Sequence, residues 1–129
     1  MRGRGFTVHV PAGWAVDHVR GGIGARRGGA LVSVTAFPLQ KPYDPAKFSA
    51  AARELDGVAA KLAARAGKTL SERSTTTVSG RKIRAYRYDG VRIGFVLDGK
   101  REYQLLCMAP EGGDPDDSCR LLFESFTVT

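Results

Sequence analysis

Apolar and polar residues alternate most cleanly in the second half of the chain. Val91, Ile93, Phe95 and Leu97 take every second position, with Arg92 and Gly94 facing the other way, the period of a strand with two unlike faces. Asp89-Gly90 precedes this run and Asp98-Gly99 follows it, and Asp-Gly between alternating segments is a strong hairpin signal. Lys82 to Tyr88 lies on one side and Tyr103, Leu105 and Cys107 on the other. Thr69 to Val78, rich in Thr and Ser, reaches them through a turn at Ser79-Gly80. These segments predict an antiparallel meander of four strands. Earlier, Phe6-Thr7-Val8-His9-Val10 alternates and stops at Pro11-Ala12-Gly13-Trp14, so it reads as a half-buried strand. Ile23 to Arg27 and Ala30 to Phe37 flank Gly28-Gly29, which predicts a hairpin closed by Pro38 and Pro42.

Two segments break this period. Asp44-Pro45 opens a helix: Asp44 can accept from free backbone N–H groups, and proline suits the first helical position. Phe48, Ala52, Leu55, Val58, Ala59, Leu62 and Ala66 then recur at three- and four-residue steps and form one apolar stripe. Gly57 weakens this helix and Gly67 ends it. Asp114-Pro115 opens a shorter helix with Leu121, Leu122, Phe123 and Phe126 on its apolar side. The expected fold is α+β: a central antiparallel sheet of about six strands, flanked by one long helix and a short C-terminal helix. Residues 1–129 read as a single domain. The expected core includes Trp14, Phe48, Leu55, Leu62, Ile93, Phe95, Leu105 and Phe123.

Composition narrows the picture a little. With 129 residues and 43% hydrophobic content, the chain can build one core without metals or many staples. No stretch approaches the ~20 apolar residues of a membrane span. The start, Met1-Arg2-Gly3-Arg4-Gly5, is basic and lacks the apolar segment of a signal peptide. The chain is therefore read as the mature segment of an exported protein, with a cytoplasmic protein as the alternative. Its net charge of +7 favours anionic partners: an acidic protein, lipid headgroups or nucleic acid. No block of five or more Lys and Arg marks a nucleic-acid tail.

Candidate chemistry is sparse. Basic residues and tyrosines interleave along the meander at Arg84, Tyr86, Arg87, Tyr88 and Arg92, near Arg81, Lys82, Lys100 and Arg101. Such a face can dock another protein or an anionic surface. Single-stranded nucleic acid is the alternative, though the RNP1 pattern is absent and strand aromatics also serve cross-strand packing. Glu111, Asp114, Asp116 and Asp117 lack the spacing of a calcium loop and suit the first turn of a helix. Arg20 to Gly29 is Gly-rich, but neither a P-loop nor a dinucleotide fingerprint is present, so no cofactor is expected. His9 and His18 are the only histidines, too few for a zinc site with two cysteines. Asp17-His18 lacks a nucleophile motif, and no catalytic residue is assigned. Cys107 ends a strand and Cys119 lies just inside the last helix. A structural disulfide and a pair of free buried thiols both fit; the spacing is not that of a redox Cys-x-x-Cys pair.

The order of these segments resembles one family. Phe6-x-Val8-x-Val10-Pro11-x-Gly13-Trp14 is similar to the first strand of PsbP/Mog1-like domains, and Ala30-Leu31-Val32-Ser33-Val34 to the strand that follows. The long helix, the Val78-Ser79-Gly80-Arg81-Lys82 turn and the meander continue the likeness. Cys107 to Cys119, followed by Phe123-Glu124-Ser125-Phe126, looks like the ending of bacterial exported members. The resemblance implies an antiparallel sheet with flanking helices. It also implies a non-enzymatic role in docking, binding or assembly, with no shared catalytic residues.

Overall fold

The computed structural model describes residues 1–110, 113 and 115–129. In chain order it contains β1 (Arg2–Gly3), β2 (Phe6–Thr7), β3 (Ala15–Val19), β4 (Gly22–Arg27) and β5 (Ala30–Pro38). A 3-10 turn, Pro45–Lys47, leads into α1 (Phe48–Arg65). Then come β6 (Glu72–Val78), β7 (Arg81–Tyr88), β8 (Val91–Asp98), β9 (Arg101–Met108), α2 (Asp116–Ser125) and β10 (Thr127–Val128). Seven strands form one sheet in the order β3-β4-β5-β9-β8-β7-β6, and β1-β2-β10 form a small second sheet. All pairings are antiparallel.

The fold is α+β, with one more strand in the main sheet than expected. The additional strand is β3, an edge whose residues are mostly exposed, which leaves little apolar alternation to detect. The strand expected over Phe6–Val10 shortens to Phe6–Thr7 and joins the small sheet. The meander forms as predicted. At its first turn Ser79 and Gly80 have φ of 53° and 74°, the two positive values that a tight two-residue hairpin turn requires. The two halves of the main sheet meet where β5 pairs with β9, setting Val32 opposite Cys107 and Val34 opposite Leu105.

Each helix covers part of one face. Leu122, Phe123 and Phe126 pack with Val32, Val34, Ile83, Val96 and Leu105. A Cβ on Gly94 would stand 2.8 Å from the Phe123 ring, so the bare backbone there makes room for it. Cys107 and Cys119 are fully buried in this layer. Their Cα atoms are 5.5 Å apart and their sulfurs are at bonding distance, within the usual range for a disulfide. On the other face, Leu55, Ala59 and Ala63 pack on Tyr86, Tyr88, Val91, Ile93 and Phe95. The predicted stripe is partly corrected: Val58 is 46% exposed, Ala66 is also exposed, and Ala63 takes the inward place. A four-residue step from Leu55 to Ala59 to Ala63 is enough for one helix on two strands. Trp14, Phe48 and Leu62 are half-buried, because they lie at the margins of the two layers. The first helix starts as expected, with Asp44 Oδ1 accepting from Ala46 N–H at 3.0 Å. The expected cap at Asp114, and the acidic group it forms with Glu111, Asp116 and Asp117, lie outside the described residues and side chains.

Candidate functional site

The five meander residues do not form one surface. Along β7, Arg84, Tyr86 and Tyr88 point toward α1, while Arg87 points to the opposite side with its partner Arg92. Tyr86 is 1% exposed and Tyr88 9%, so neither offers a stacking platform. Both faces of this strand are covered, a condition that residue alternation alone does not reveal.

Arg84 and Tyr86 are instead held by Asp56 of α1. Arg84 Nε donates to Asp56 Oδ1 at 3.0 Å, and Arg84 also reaches Thr75 Oγ1 at 3.1 Å. The Tyr86 hydroxyl donates to the same Asp56 oxygen. Burial alone would raise the Asp56 pKa, but the hydrogen bonds from Arg84 and Tyr86 and the charges of Arg84 and Arg73 outweigh it and hold the carboxyl below its ordinary value. Burial first, then the bond to Asp56, pushes the Tyr86 phenol strongly upward. This network ties the helix to the sheet. Arg87 and Arg92 line a shallow polar depression with Arg120, beside Glu72 and Glu124. Arg87 Nε lies 3.6 Å from Glu72, and Arg92 rests on the Phe123 ring at 4.7 Å from its centroid. Cations and carboxylates alternate there, so the depression carries little net field.

A different cluster of cations has no such compensation. The N-terminal hairpin β1–β2, the start of β4, the end of β5 and the β8–β9 turn enclose a cleft of about 640 Å³. Arg2, Arg4, His18, Lys100 and Arg101 line it, and no Asp or Glu does. None of the four Arg and Lys side chains has an ion-pair partner among the described residues. Phe6, Ile23 and Ala36 contribute an apolar floor.

Three contacts fix this wall. The Phe6 ring lies 5.8 Å from Phe126 and 5.7 Å from Tyr103, centroid to centroid, which anchors the hairpin on the core. The Tyr103 hydroxyl donates to the Gly5 carbonyl at 3.3 Å, and Arg101 donates to the Arg4 carbonyl at 3.4 Å. The hairpin backbone also lies flat on Phe6: a Cβ on Gly3 would fall 2.1 Å from that ring. The register Pro38 opposite Arg101 brings the end of β5 beside the β8–β9 turn.

Sequence reasoning noted the basic start at Arg2 and Arg4, and it placed Lys100 and Arg101 along the meander, but nothing joined the two. Their proximity depends on the hairpin folding back and on the β5–β9 pairing. His18 belongs to this cleft and not to an acid–base pair. Successive strand residues face opposite ways, and Asp17 holds Arg26 at 2.6 Å on the far side. His9 is exposed, as its alternation implied. Ile23 to Arg27 forms a strand in a hairpin, as read from the Gly-rich run. Among the described residues no helix is long and apolar enough to cross a membrane.

No family model matches the chain, and no curated protein matches it. Among solved structures, the chain is similar to a crystal structure from Bacteroides thetaiotaomicron, with a TM-score of 0.56 and 11% identity over 97% of this chain. The chain spans 45% of the length of that structure, and the likeness is one of fold.

Proposed function

We propose that the protein is a non-enzymatic docking domain of the PsbP/Mog1-like kind, and that it receives an anionic group of its partner in the cleft between the N-terminal hairpin and the β8–β9 turn. One observation carries this reading: Arg2, Arg4, Lys100 and Arg101 converge with His18 on a cleft lined by no carboxylate. Unpaired cations at an apolar recess attract anions and cost little to desolvate against one. A role outside the cytoplasm is part of the proposal, and the Cys107–Cys119 pair at disulfide distance supports it. The nucleic-acid alternative has less support, because it draws on stacked aromatics and both Tyr86 and Tyr88 are buried.

Calorimetric titration with inorganic pyrophosphate and with an oligo-aspartate peptide at low salt tests the reading. Binding is expected, weakening as salt is raised. Arg2 and Lys100 are exposed and make no side-chain hydrogen bond or ion pair among the described residues, so they can be changed without disturbing the fold. Reversing both to Glu should weaken binding about tenfold or more, since each exposed pair is worth up to ~1 kcal/mol and reversal adds repulsion. Arg84→Ala should leave the affinity unchanged. Absence of heat with both probes at low salt would remove the reading.

A further inference from the structure

We infer that the ligand of the basic cleft is an amphipathic phosphate: a phosphate-type head held by the cationic rim and an apolar body lying on the floor. This rests on the anion-docking reading and adds the chemical class of the occupant.

The cleft has two unlike zones. Arg2 and Arg4 approach from one wall, and Lys100 and Arg101 from the other, so two pairs of fixed cations face a common space. A phosphate monoester carries close to two negative charges near neutral pH and offers three acceptor oxygens, which suits donors arriving from two sides. The volume of about 640 Å³ is far more than a phosphate needs and lies within the range of small-molecule sites. The remaining space is bounded by Phe6, Ile23, Ala36 and Phe37. Phe37 is 40% exposed, a large apolar ring that the fold does not cover. An occupant with only charge would leave that surface against water, and one with only an apolar body would leave four cations unpaired.

The test compares ligands that differ in one zone at a time. Octyl phosphate, below its aggregation concentration, and methyl phosphate carry the same head; octyl glucoside carries the tail without the charge. Each buried methylene is worth about fourfold in affinity, so burial of two or more along the floor predicts that octyl phosphate binds over tenfold tighter than methyl phosphate. It should also bind over tenfold tighter than octyl glucoside. Ala36→Gln, which sets a polar amide on the floor, should reduce the octyl advantage while sparing methyl phosphate. The Arg2→Glu, Lys100→Glu variant should weaken both phosphates. Vesicles of phosphatidylcholine with phosphatidic acid separate the two sources of this chemistry. Binding of soluble octyl phosphate without vesicle binding points to a free ligand, and binding of both to a lipid headgroup; either supports the inference. Equal affinity for octyl and methyl phosphate would overturn the amphipathic ligand and leave anion docking standing. Vesicle binding without octyl phosphate binding would overturn it in favour of a membrane surface. If none of these ligands binds while pyrophosphate or oligo-aspartate does, the inference fails alone.

Discussion

The Asp56 network gives the sharpest energetic test of the fold. Tyr86→Phe deletes one hydroxyl and keeps the ring, which is 1% exposed and packs edge-on against Phe95 at 5.9 Å. A hydrogen bond to a charged group contributes about 1.5–3 kcal/mol net, so the variant should lose about that amount. Asp56→Ala removes more. It orphans the Tyr86 hydroxyl, for about 1–3 kcal/mol, and it breaks an ion pair whose side chains are 21% and 26% exposed, for up to about 1 kcal/mol. The sum is about 2–4 kcal/mol. Because both changes delete the same bond, the double variant should cost less than the two singles together, with a coupling within about 0.5–3 kcal/mol. Urea melts read these numbers as shifts in midpoint at constant slope. The pH dependence follows from the sign of the shift. The folded Asp56 carboxyl titrates below its unfolded counterpart, so its stabilisation is full above the unfolded value, near pH ~4, and is lost as pH falls through the folded one. Wild type should therefore exceed Asp56→Asn at about pH 6 and converge on it in strong acid. A loss below about 0.5 kcal/mol for Tyr86→Phe, with zero coupling to Asp56, would refute the network.

The helix stripe is tested by contrast: Leu55→Ala should cost about 2–5 kcal/mol, whereas Val58→Ala, at an exposed site, should stay within about 0.5 kcal/mol. Equal effects would mean that α1 is rotated on its sheet. The intact protein should weigh two protons less than the dithiol by non-reducing mass spectrometry. Changing both Cys107 and Cys119 to Ser should lower stability by about 3 kcal/mol, the model value for a loop of this size. Two freely alkylated thiols after purification without reductant would exclude the bridge.

The meander was legible because its turns and its apolar period agree: Asp89-Gly90 and Asp98-Gly99 bracket Val91, Ile93, Phe95 and Leu97, and the strands stop where those pairs stand. The long helix was legible from Asp44-Pro45 and from Leu55 and Ala59. β3 was not, since Ala15-Val16-Asp17-His18-Val19 packs little on either side and an edge strand needs only backbone pairing. Tyr86 and Tyr88 were misplaced for the opposite reason. β7 is covered on both faces, so Arg84 at 21% exposure looks in sequence like a surface residue between two others. The cleft was the least legible feature. Arg2 and Arg101 are distant in sequence, and nothing local records that β5 chooses β9 as its neighbour.

The small sheet ties the order of assembly to the chain's last residues. Phe6 pairs with Val128 and Thr7 with Thr127, while the His9 amide donates to Ser125 Oγ across 116 residues. Contacts this distant form late, because the loop they close must first be ordered by everything between. During synthesis Arg2 and Arg4 emerge among the first residues, yet the strand that anchors their hairpin emerges among the last. One wall of the cleft is therefore the last part of the protein to take its place. An anion bound there would hold the β1–β2 hairpin against the β8–β9 turn, and through Phe6 it would resist fraying of Thr127–Val128, residues that do not line the cleft.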